Sequence, residues 1–400
     1  MTSTEEFASE TKEPRTPEVS RWAAVSAVAL GTFLLVTAEQ LPIGLLTSVG
    51  SALSVSEGTA GLMVTVPSLV AAFAAPLVPM LVGGLDRRLL LLGLMALMTL
   101  ANLATSVAPN FALLVGSRVL VGIAIGGFWA IASGLAVRLV TPADVPKATA
   151  IIFGGVGAAN VFGVPLGTLL GDFTGWRVAF ASLSGLALVA LVTLIVVLPA
   201  LAASQAIRPK LFAEQFRNPG VRIGILATIL IVFGHFAAYT FVSPALQKLS
   251  GIDERYVGPL LFGFGVAGMI GNFVAGSALS RRVHRSALVI AVSLALAMPL
   301  FLLLGQTRVG GAILLILWGL AYGGVSVALQ TWMIKAAPQA VEAASSLWVA
   351  VFNLSIGLGA LAGGVIVDTV TLRGVLWLGG ACALLAALAI WSARRNEAVR

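Results

Sequence analysis

The chain has 400 residues, of which 59% are hydrophobic and 10% charged, and its formal net charge is +8. A soluble protein has roughly 45–50% apolar and about 25% charged residues, so this composition excludes an ordinary soluble domain and makes the lipid bilayer the expected solvent. One cysteine and two histidines exclude an intrachain disulfide and a metal site of the usual ligand number.

Twelve apolar runs, each long enough to cross a bilayer and without barrel-strand alternation, predict twelve membrane-spanning helices. Residues 1–21 are polar and predict a disordered cytoplasmic tail, not a signal peptide. An N-terminal six-helix half is predicted at 22–200, with spans at 22–46, 60–82, 89–108, 111–138, 147–171 and 176–200. After a cytoplasmic linker at 201–221, a C-terminal six-helix half is predicted at 222–393, and 394–400 form a cytoplasmic tail; its spans are 222–247, 256–279, 286–305, 309–336, 340–367 and 371–393.

The second half repeats the pattern of the first with an offset of about 195 residues. Asp172 returns 196 positions later as Asp368. The glycines four residues apart in spans five and eleven recur at the same offset, as the pairs Gly163 and Gly359, and Gly167 and Gly363. Such glycine spacing lets membrane helices approach closely, and it also gives them a smooth face on which to slide or rock. Two pseudo-symmetric copies of one half indicate a transporter with its site between the copies.

The placement of basic residues predicts the orientation. With the N-terminus inside, 18 of the 24 lysines and arginines lie in cytoplasmic segments, five lie outside, and Arg118 lies within a span. We therefore expect a multi-pass protein of the inner membrane with both termini in the cytoplasm. The basic excess follows from topology, so no nucleic acid partner is expected.

Glu39 in span one is the only acidic residue well inside an apolar span, and Arg118 in span four is the only basic one. A charge at that depth costs at least a few kcal/mol and indicates function. Both residues lie seven positions from the predicted outer edge of their spans, or about 10 Å, so they could pair. One interpretation is a permanent structural ion pair. The other is a carboxyl that releases its proton when Arg118 approaches and regains it when substrate or solvent intervenes.

His235 lies near the middle of span seven, with Tyr239 one helical turn further along the same face. It could join helices by a hydrogen bond, or it could bind substrate or titrate near neutral pH. Aromatic side chains mixed with hydroxyls and amides suit a flat ligand with polar edges. The other candidates for substrate binding are Gln40, Trp129, Tyr322, Ser326 and Asn353; each aromatic alone could equally be ordinary packing.

Gly263, Gly265 and Gly268 match the G-x-G-x-x-G fingerprint of dinucleotide sites. That fingerprint needs a preceding strand and a following acidic residue, whereas in this chain it lies inside span eight. No nucleophile elbow, phosphate loop or metal cluster accompanies it, so an enzyme is not expected.

From Trp22 onward the chain resembles the major facilitator superfamily, and its twelve-span drug:proton antiporter branch most. The residues Arg118-Val119-Leu120-Val121-Gly122 resemble the arginine motif of span four, in which the arginine is implicated in proton transfer. The stretch from Gly154 to Gly171, which includes Pro165, resembles the antiporter motif of span five. The loop between spans two and three keeps the Asp86-Arg87 core of the family's gating motif but lacks its second glycine and trailing basic pair.

Within this branch, the segments 56–66 and 126–154 resemble bacterial purine nucleoside efflux permeases. The segment 234–241 resembles those proteins and the related purine-base, sugar and chloramphenicol exporters. The resemblance implies an all-α membrane protein that exports a small solute by alternating access in exchange for protons. Glu39, Arg118 and His235 would couple protons, and the proton gradient would supply energy without a cofactor.

The favoured substrate is a purine nucleoside or an analogue. The alternatives are a multidrug, chloramphenicol or sugar exporter on the same fold, and a membrane receptor that transports nothing. The expected partners are the small-molecule substrate, protons and lipid, and a monomer is expected.

Overall fold

A computed structural model of the protein describes residues 18–82, 84–201 and 214–398. Within these ranges the regular structure is helical and contains no strand. Twelve helical segments are long and apolar enough to cross a membrane. The prediction of an all-α protein with twelve spans is therefore confirmed.

Parts of the predicted tails and linker lie outside the described residues, namely 1–17, 202–213 and 399–400. The last described helix continues to Ala398.

The twelve observed spans agree in number and order with the predicted ones. In chain order they are Arg21–Gly44, Glu57–Val78, Arg87–Ser106, Phe111–Ala132, Lys147–Thr174, Trp176–Val197, Pro219–Tyr239, Glu254–Gly276, Val283–Leu304, Arg308–Ala336, Ala343–Thr369 and Leu372–Ser392. The helices that form them are Glu18–Gly44, Leu46–Ala52, Glu57–Ala60, Leu62–Leu81, Arg87–Ser106, Phe111–Leu139, Val145–Ala158, Val164–Thr174, Trp176–Val197, Pro219–Tyr239, Val242–Lys248, Val257–Leu304, Arg308–Gly323, Val325–Ala336, Val341–Thr369 and Leu372–Ala398.

Polar residues at the starts of several spans fix where the helices begin. Ser56, Asp86, Asn110, Asn218 and Thr307 each accept a hydrogen bond from a backbone N–H of the first turn. These N–H groups have no partner within the helix, and residues with a short oxygen-bearing side chain satisfy them best. The polar loops therefore separate one helix from the next at the membrane boundary.

Proline and glycine interrupt two of the spans. Span five contains a π turn over Ala159–Gly163, directly before Pro165. Proline lacks an N–H and its ring crowds the preceding turn, which the wider π turn accommodates. Span ten is split at Gly324 into Arg308–Gly323 and Val325–Ala336.

The repeated glycines make equivalent contacts in the two halves. A Cβ added to Gly122 or Gly126 of span four would overlap the backbone of span two. A Cβ added to Gly319 or Gly323 of span ten would likewise overlap the backbone of span eight. The internal repeat is thus a repeat of helix packing.

Spans five and eleven form a second equivalent pair. Gly163 and Gly167 of span five pack on Thr37 and Leu41 of span one. In the C-terminal half, Gly359 and Gly363 of span eleven occupy the equivalent positions. They pack on the backbone of span seven at Phe233 and Ala237. Close approach of this kind is what small residues allow in membrane helices.

We call the end of the bundle at which span two begins the Glu57 face, and the end at which span three begins the Arg87 face. The two halves pack together from the Glu57 face inward. Span eleven lies against span two from Gly364 beside Gly58 to Gly357 beside Leu69. Span eight lies against span five, where Gly265 meets the carbonyl of Asn160.

Polar contacts join the halves at the Glu57 face. Lys248 forms an ion pair of 2.8 Å with Glu57. The carboxylate of Asp368 accepts hydrogen bonds from the Ser56 hydroxyl at 2.6 Å and from the Gly58 N–H at 2.9 Å. Further contacts join Ser48 to Glu254 and Gln247 to Thr47. These contacts link the two halves at the Glu57 face in this conformation.

Candidate functional site

Arg118 lies fully buried where spans one, two and four meet. Its Nη2 donates a hydrogen bond of 2.6 Å to the carbonyl of Ala38 in span one. Its Nε donates one of 3.1 Å to the carbonyl of Met63 in span two. One side chain thus bonds the backbones of two neighbouring spans.

Both carbonyls need an outside donor because each lies four residues before a proline. The N–H that would normally bond the Ala38 carbonyl belongs to position 42, and the one for Met63 to position 67. Positions 42 and 67 are Pro42 and Pro67, which have no N–H. In a membrane, neighbouring side chains must satisfy backbone groups freed in this way. Arg118 does so for both spans.

Glu39 adjoins this arrangement but does not form an ion pair with Arg118. Both residues are described, and none of their nitrogen–oxygen pairs comes within 4.0 Å. Glu39 is 7% exposed, and its carboxylate accepts a long hydrogen bond of 3.4 Å from the Ser68 hydroxyl. The sequence placed Glu39 and Arg118 at one depth, and the structure directs the guanidinium to the carbonyls instead. Arg118 Nη1 remains buried, with no hydrogen-bond partner among the described residues.

His235 forms the centre of a second cluster, in the C-terminal half. Its ring stacks on that of Tyr322 with centroids 3.4 Å apart and planes 7° apart. The ring of Tyr239 stacks on it at 4.9 Å and 21°. Trp318 and Phe236 contact the imidazole edge-on, at 5.6 and 5.0 Å. Spans seven and ten thus bring His235 and Tyr239, which the sequence placed on one helix face, together with Tyr322 and Trp318.

A hydrogen bond from Trp318 sets the tautomer of His235. The indole Nε1 donates to His235 Nδ1 at 3.2 Å. Because an indole N–H can only donate, Nδ1 accepts and the neutral imidazole carries its proton on Nε2. His235 is 1% exposed, and Nε2 has no partner in the described part of the chain. A buried donor is therefore available at this position.

The ring contacts of His235 include none of the other predicted binding residues except Tyr239 and Tyr322. Trp129 packs against Phe153 at 5.6 Å, and Asn353 donates to the carbonyl of Val349 in its own helix. Gln40 is partly exposed and Ser326 is exposed.

Phe264 is a member of the cluster that the sequence did not single out. Its ring stacks on Tyr239 at 4.6 Å and 22°. It lies between the glycines of the apparent dinucleotide fingerprint, which serve packing in this fold, since Gly263 meets Ile316 and Gly265 meets Asn160. Phe262, two residues earlier in the same helix, instead faces Phe162 of the other half.

The loop between spans two and three binds within the N-terminal half. The carboxylate of Asp86 accepts hydrogen bonds from the N–H groups of Arg88 and Leu201, at 2.7 and 3.0 Å. The Arg87 N–H donates to the Leu201 carbonyl at 2.8 Å. The motif therefore fixes the end of span six to the start of span three.

The repeated acids, Asp172 and Asp368, have different surroundings. Asp368 is bonded to Ser56 and Gly58. Asp172 lines a crevice of about 410 Å³ at the Glu57 face, together with Glu254 and other residues. Both carboxylate oxygens of Asp172 are buried without a hydrogen-bond partner among the described residues. One half-to-half contact is thus formed, and its pseudo-symmetric counterpart is not.

Comparisons with known proteins give the family. The model of the Major Facilitator Superfamily matches residues 28–344. The chain is 36% identical over 384 residues to the transcription regulatory protein OpdE of Pseudomonas aeruginosa, covering 94% of this chain and 96% of that protein. It is 34% identical over 385 residues to the purine ribonucleoside efflux pump NepI of Escherichia coli O6:K15:H31 (strain 536 / UPEC), covering 96% and 97%.

A solved structure supports the same fold. It is that of a bacterial homologue of the human lysosomal transporter Spinster, in an inward-facing and unoccupied conformation. The two chains superpose with a TM-score of 0.73 over 95% of this chain and 98% of that one, at 15% identity.

Proposed function

This chain belongs to the Major Facilitator Superfamily, and we propose that it exports purine nucleosides or their analogues in exchange for protons. It is a multi-pass membrane protein of a transporter family and not an enzyme. The observation that carries the substrate class is the 34% identity to a purine ribonucleoside efflux pump over 96% of this chain. The aromatic cluster around His235 supports it, because flat bases stack on such rings.

We propose that transport proceeds by alternating access. The halves would rock on their glycine-lined contacts, with the substrate site near the midplane between them. From the excess of basic residues we infer that the Arg87 face lies in the cytoplasm and the Glu57 face outside. The polar contacts at the Glu57 face then describe a state closed to the outside.

Glu39 is our candidate proton carrier. In this conformation its carboxyl has the Ser68 hydroxyl as its hydrogen-bond partner, and Arg118 is bonded elsewhere. Arg118 lies near Glu39 but forms no ion pair with it in this conformation. Movement of span four that freed the guanidinium from Ala38 would bring a positive charge to Glu39 and release the proton. The gradient supplies the energy, so no cofactor is invoked.

A panel of substrates tests this proposal against an exporter of drugs or sugars. Cells that express the protein and control cells are loaded with labelled inosine, adenosine, chloramphenicol or arabinose, and efflux rates are compared. Our proposal predicts faster efflux of inosine and adenosine. Faster efflux of chloramphenicol or arabinose alone would contradict the proposed substrate class.

The identity of 36% to a protein named a transcription regulatory protein favours one second candidate, a membrane protein that senses a ligand without transporting it. The two candidates differ in flux. Purified protein in liposomes should move inosine across the bilayer if it is a transporter, and should bind inosine without net movement if it is a sensor.

A further inference from the structure

We propose that Tyr322 occupies the stacking position of the substrate base on His235, and that a flat heteroaromatic ligand that also carries an acceptor for His235 Nε2 displaces it. This inference rests on the proposed function and adds how the site selects its ligand. It follows from three features of the cluster: the geometry of the stack, the unpartnered donor of His235 and a break in span ten.

The rings of Tyr322 and His235 lie closer together and more nearly parallel than most aromatic pairs. Its centroid separation of 3.4 Å and angle of 7° describe two rings placed face to face. Aromatic side chains prefer offset or edge-on arrangements with centroids about 4.5–7 Å apart, and the Tyr239 and Trp318 contacts with His235 fall in that range. Tyr322 therefore holds the position at which a base would stack, in a pairing that a larger heteroaromatic ring can improve.

His235 defines what the ligand must offer. The hydrogen bond from Trp318 leaves the imidazole proton on Nε2, which has no partner among the described residues. A buried donor without an acceptor costs free energy until a ligand satisfies it. The Nε2–H bond lies in the plane of the imidazole, so its acceptor must lie beyond the edge of that ring and outside the plane of a stacked base. A nucleoside can offer such an acceptor in the hydroxyls of its ribose. A nucleoside whose base stacks on His235 and whose ribose bonds Nε2 therefore gains a hydrogen bond that Tyr322 does not provide.

The backbone beside Tyr322 allows the ring to move. The first helix of span ten ends at Gly323, and the second begins after Gly324. Paired glycines weaken a helix locally and are a common site of kinks. Tyr322 is also partly exposed, whereas His235 is 1% exposed. The ring that covers His235 thus lies at a break in its helix and is itself only partly buried.

This arrangement predicts an affinity that is limited by the competing tyrosine. A ligand that binds only when Tyr322 has moved away has an apparent dissociation constant equal to its intrinsic constant divided by the fraction of time that the site is uncovered. Removal of the ring should therefore tighten binding. One aromatic pair accounts for a gain of about two- to tenfold.

The test measures the dissociation constant of labelled inosine for the purified, full-length protein and three variants. Tyr322→Ala and Tyr322→Leu both remove the ring, and the second keeps bulk in case the first does not fold. Tyr256→Ala makes the same change at an exposed tyrosine of the Glu57 face. We expect tighter binding in both Tyr322 variants and the wild-type constant in Tyr256→Ala.

Unchanged or weaker inosine binding by Tyr322→Ala and Tyr322→Leu would overturn this inference while leaving the proposed substrate intact. Failure of inosine to bind any of the four proteins, wild type included, would contradict the proposed substrate and remove the inference with it.

Discussion

Arg118 donates a hydrogen bond of 2.6 Å to the carbonyl of Ala38, the group that Pro42 leaves without a backbone donor. The same side chain bonds the carbonyl of Met63, which Pro67 leaves in the same condition. Arg118 therefore links two spans, each of which lacks one backbone hydrogen bond because of a proline. In the proposed mechanism it is also the cation that reaches Glu39 when that bond breaks.

The first prediction concerns the coupling of Arg118 to Pro42. Arg118→Lys should destabilise the protein, because a single ammonium cannot reproduce the rigid guanidinium fork that reaches both carbonyls. Pro42→Ala restores an N–H for the Ala38 carbonyl, so the penalty of Arg118→Lys should fall by about 1 kcal/mol in that background. Unfolding free energies in detergent micelles for the four proteins of the double-mutant cycle measure this coupling.

A control background for that cycle is Pro299→Ala, which changes a proline inside span nine. There the penalty of Arg118→Lys should equal that in the wild type. If the losses in unfolding free energy caused by Arg118→Lys and Pro42→Ala simply add, Arg118 does not stabilise span one at the Ala38 carbonyl.

The second prediction concerns the contact of span five with span one. Gly163→Ala should destabilise the protein by about 1–3 kcal/mol, because its new methyl group overlaps Thr37. Gly157→Ala in the same span meets nothing within 4 Å. It should be neutral or stabilising by up to about 1 kcal/mol, since alanine favours helix. Thermal unfolding of both variants checks this, and equal effects would argue against close packing of Gly163 on Thr37.

The third prediction concerns the two repeated acids at the Glu57 face. Asp368→Ala removes the acceptor of two bonds between the halves, so the Glu57 face should open more often. Asp172→Ala removes a carboxylate that has no hydrogen-bond partner among the described residues, so it should not open that face. A cysteine in place of the buried Ala60 reports opening through its rate of maleimide labelling, in a Cys382→Ala background.

We expect labelling at least about tenfold faster with Asp368→Ala, because the lost bonds involve a charged group. Equal acceleration by Asp172→Ala would show that the two acids act alike, against the asymmetry of this conformation.

The fourth prediction concerns His235. His235→Ala should weaken inosine binding by about tenfold or more, since one stacked base contributes about 1–3 kcal/mol. His284→Ala is the matched control, because that ring lies against Trp332 and outside the cluster. The dissociation constants of the two variants decide this point, and an unchanged constant in His235→Ala would assign His235 a structural role only.

The sequence predicted the twelve spans because a helix that crosses lipid must be long and apolar. Each span is therefore visible in the hydropathy of its own stretch of sequence. It also placed Glu39 and Arg118 at one depth, because rise per residue is fixed in a helix. It did not predict the acceptors of Arg118. Pro42 and Pro67 mark the two free carbonyls in the sequence, but which side chain reaches them depends on how three helices pack.

The composition of the aromatic cluster also depends on helix packing that the sequence does not reveal. Helical spacing put His235 and Tyr239 on a common face of span seven. Rotation of span eight decides that Phe264 joins them while Phe262 faces the other half. That rotation is set by the glycine contacts of span eight with spans five and ten. These are tertiary contacts, which the local sequence does not determine.

The most direct test of the central claim is flux of labelled inosine in liposomes that contain the purified protein, with and without an imposed pH gradient. The account predicts that wild-type protein drives inosine against its concentration gradient only when protons flow in the opposite direction. Glu39→Gln should bind inosine yet lose this gradient-driven movement. Inosine flux that is independent of the pH gradient, or that Glu39→Gln supports as well as wild type does, would contradict it.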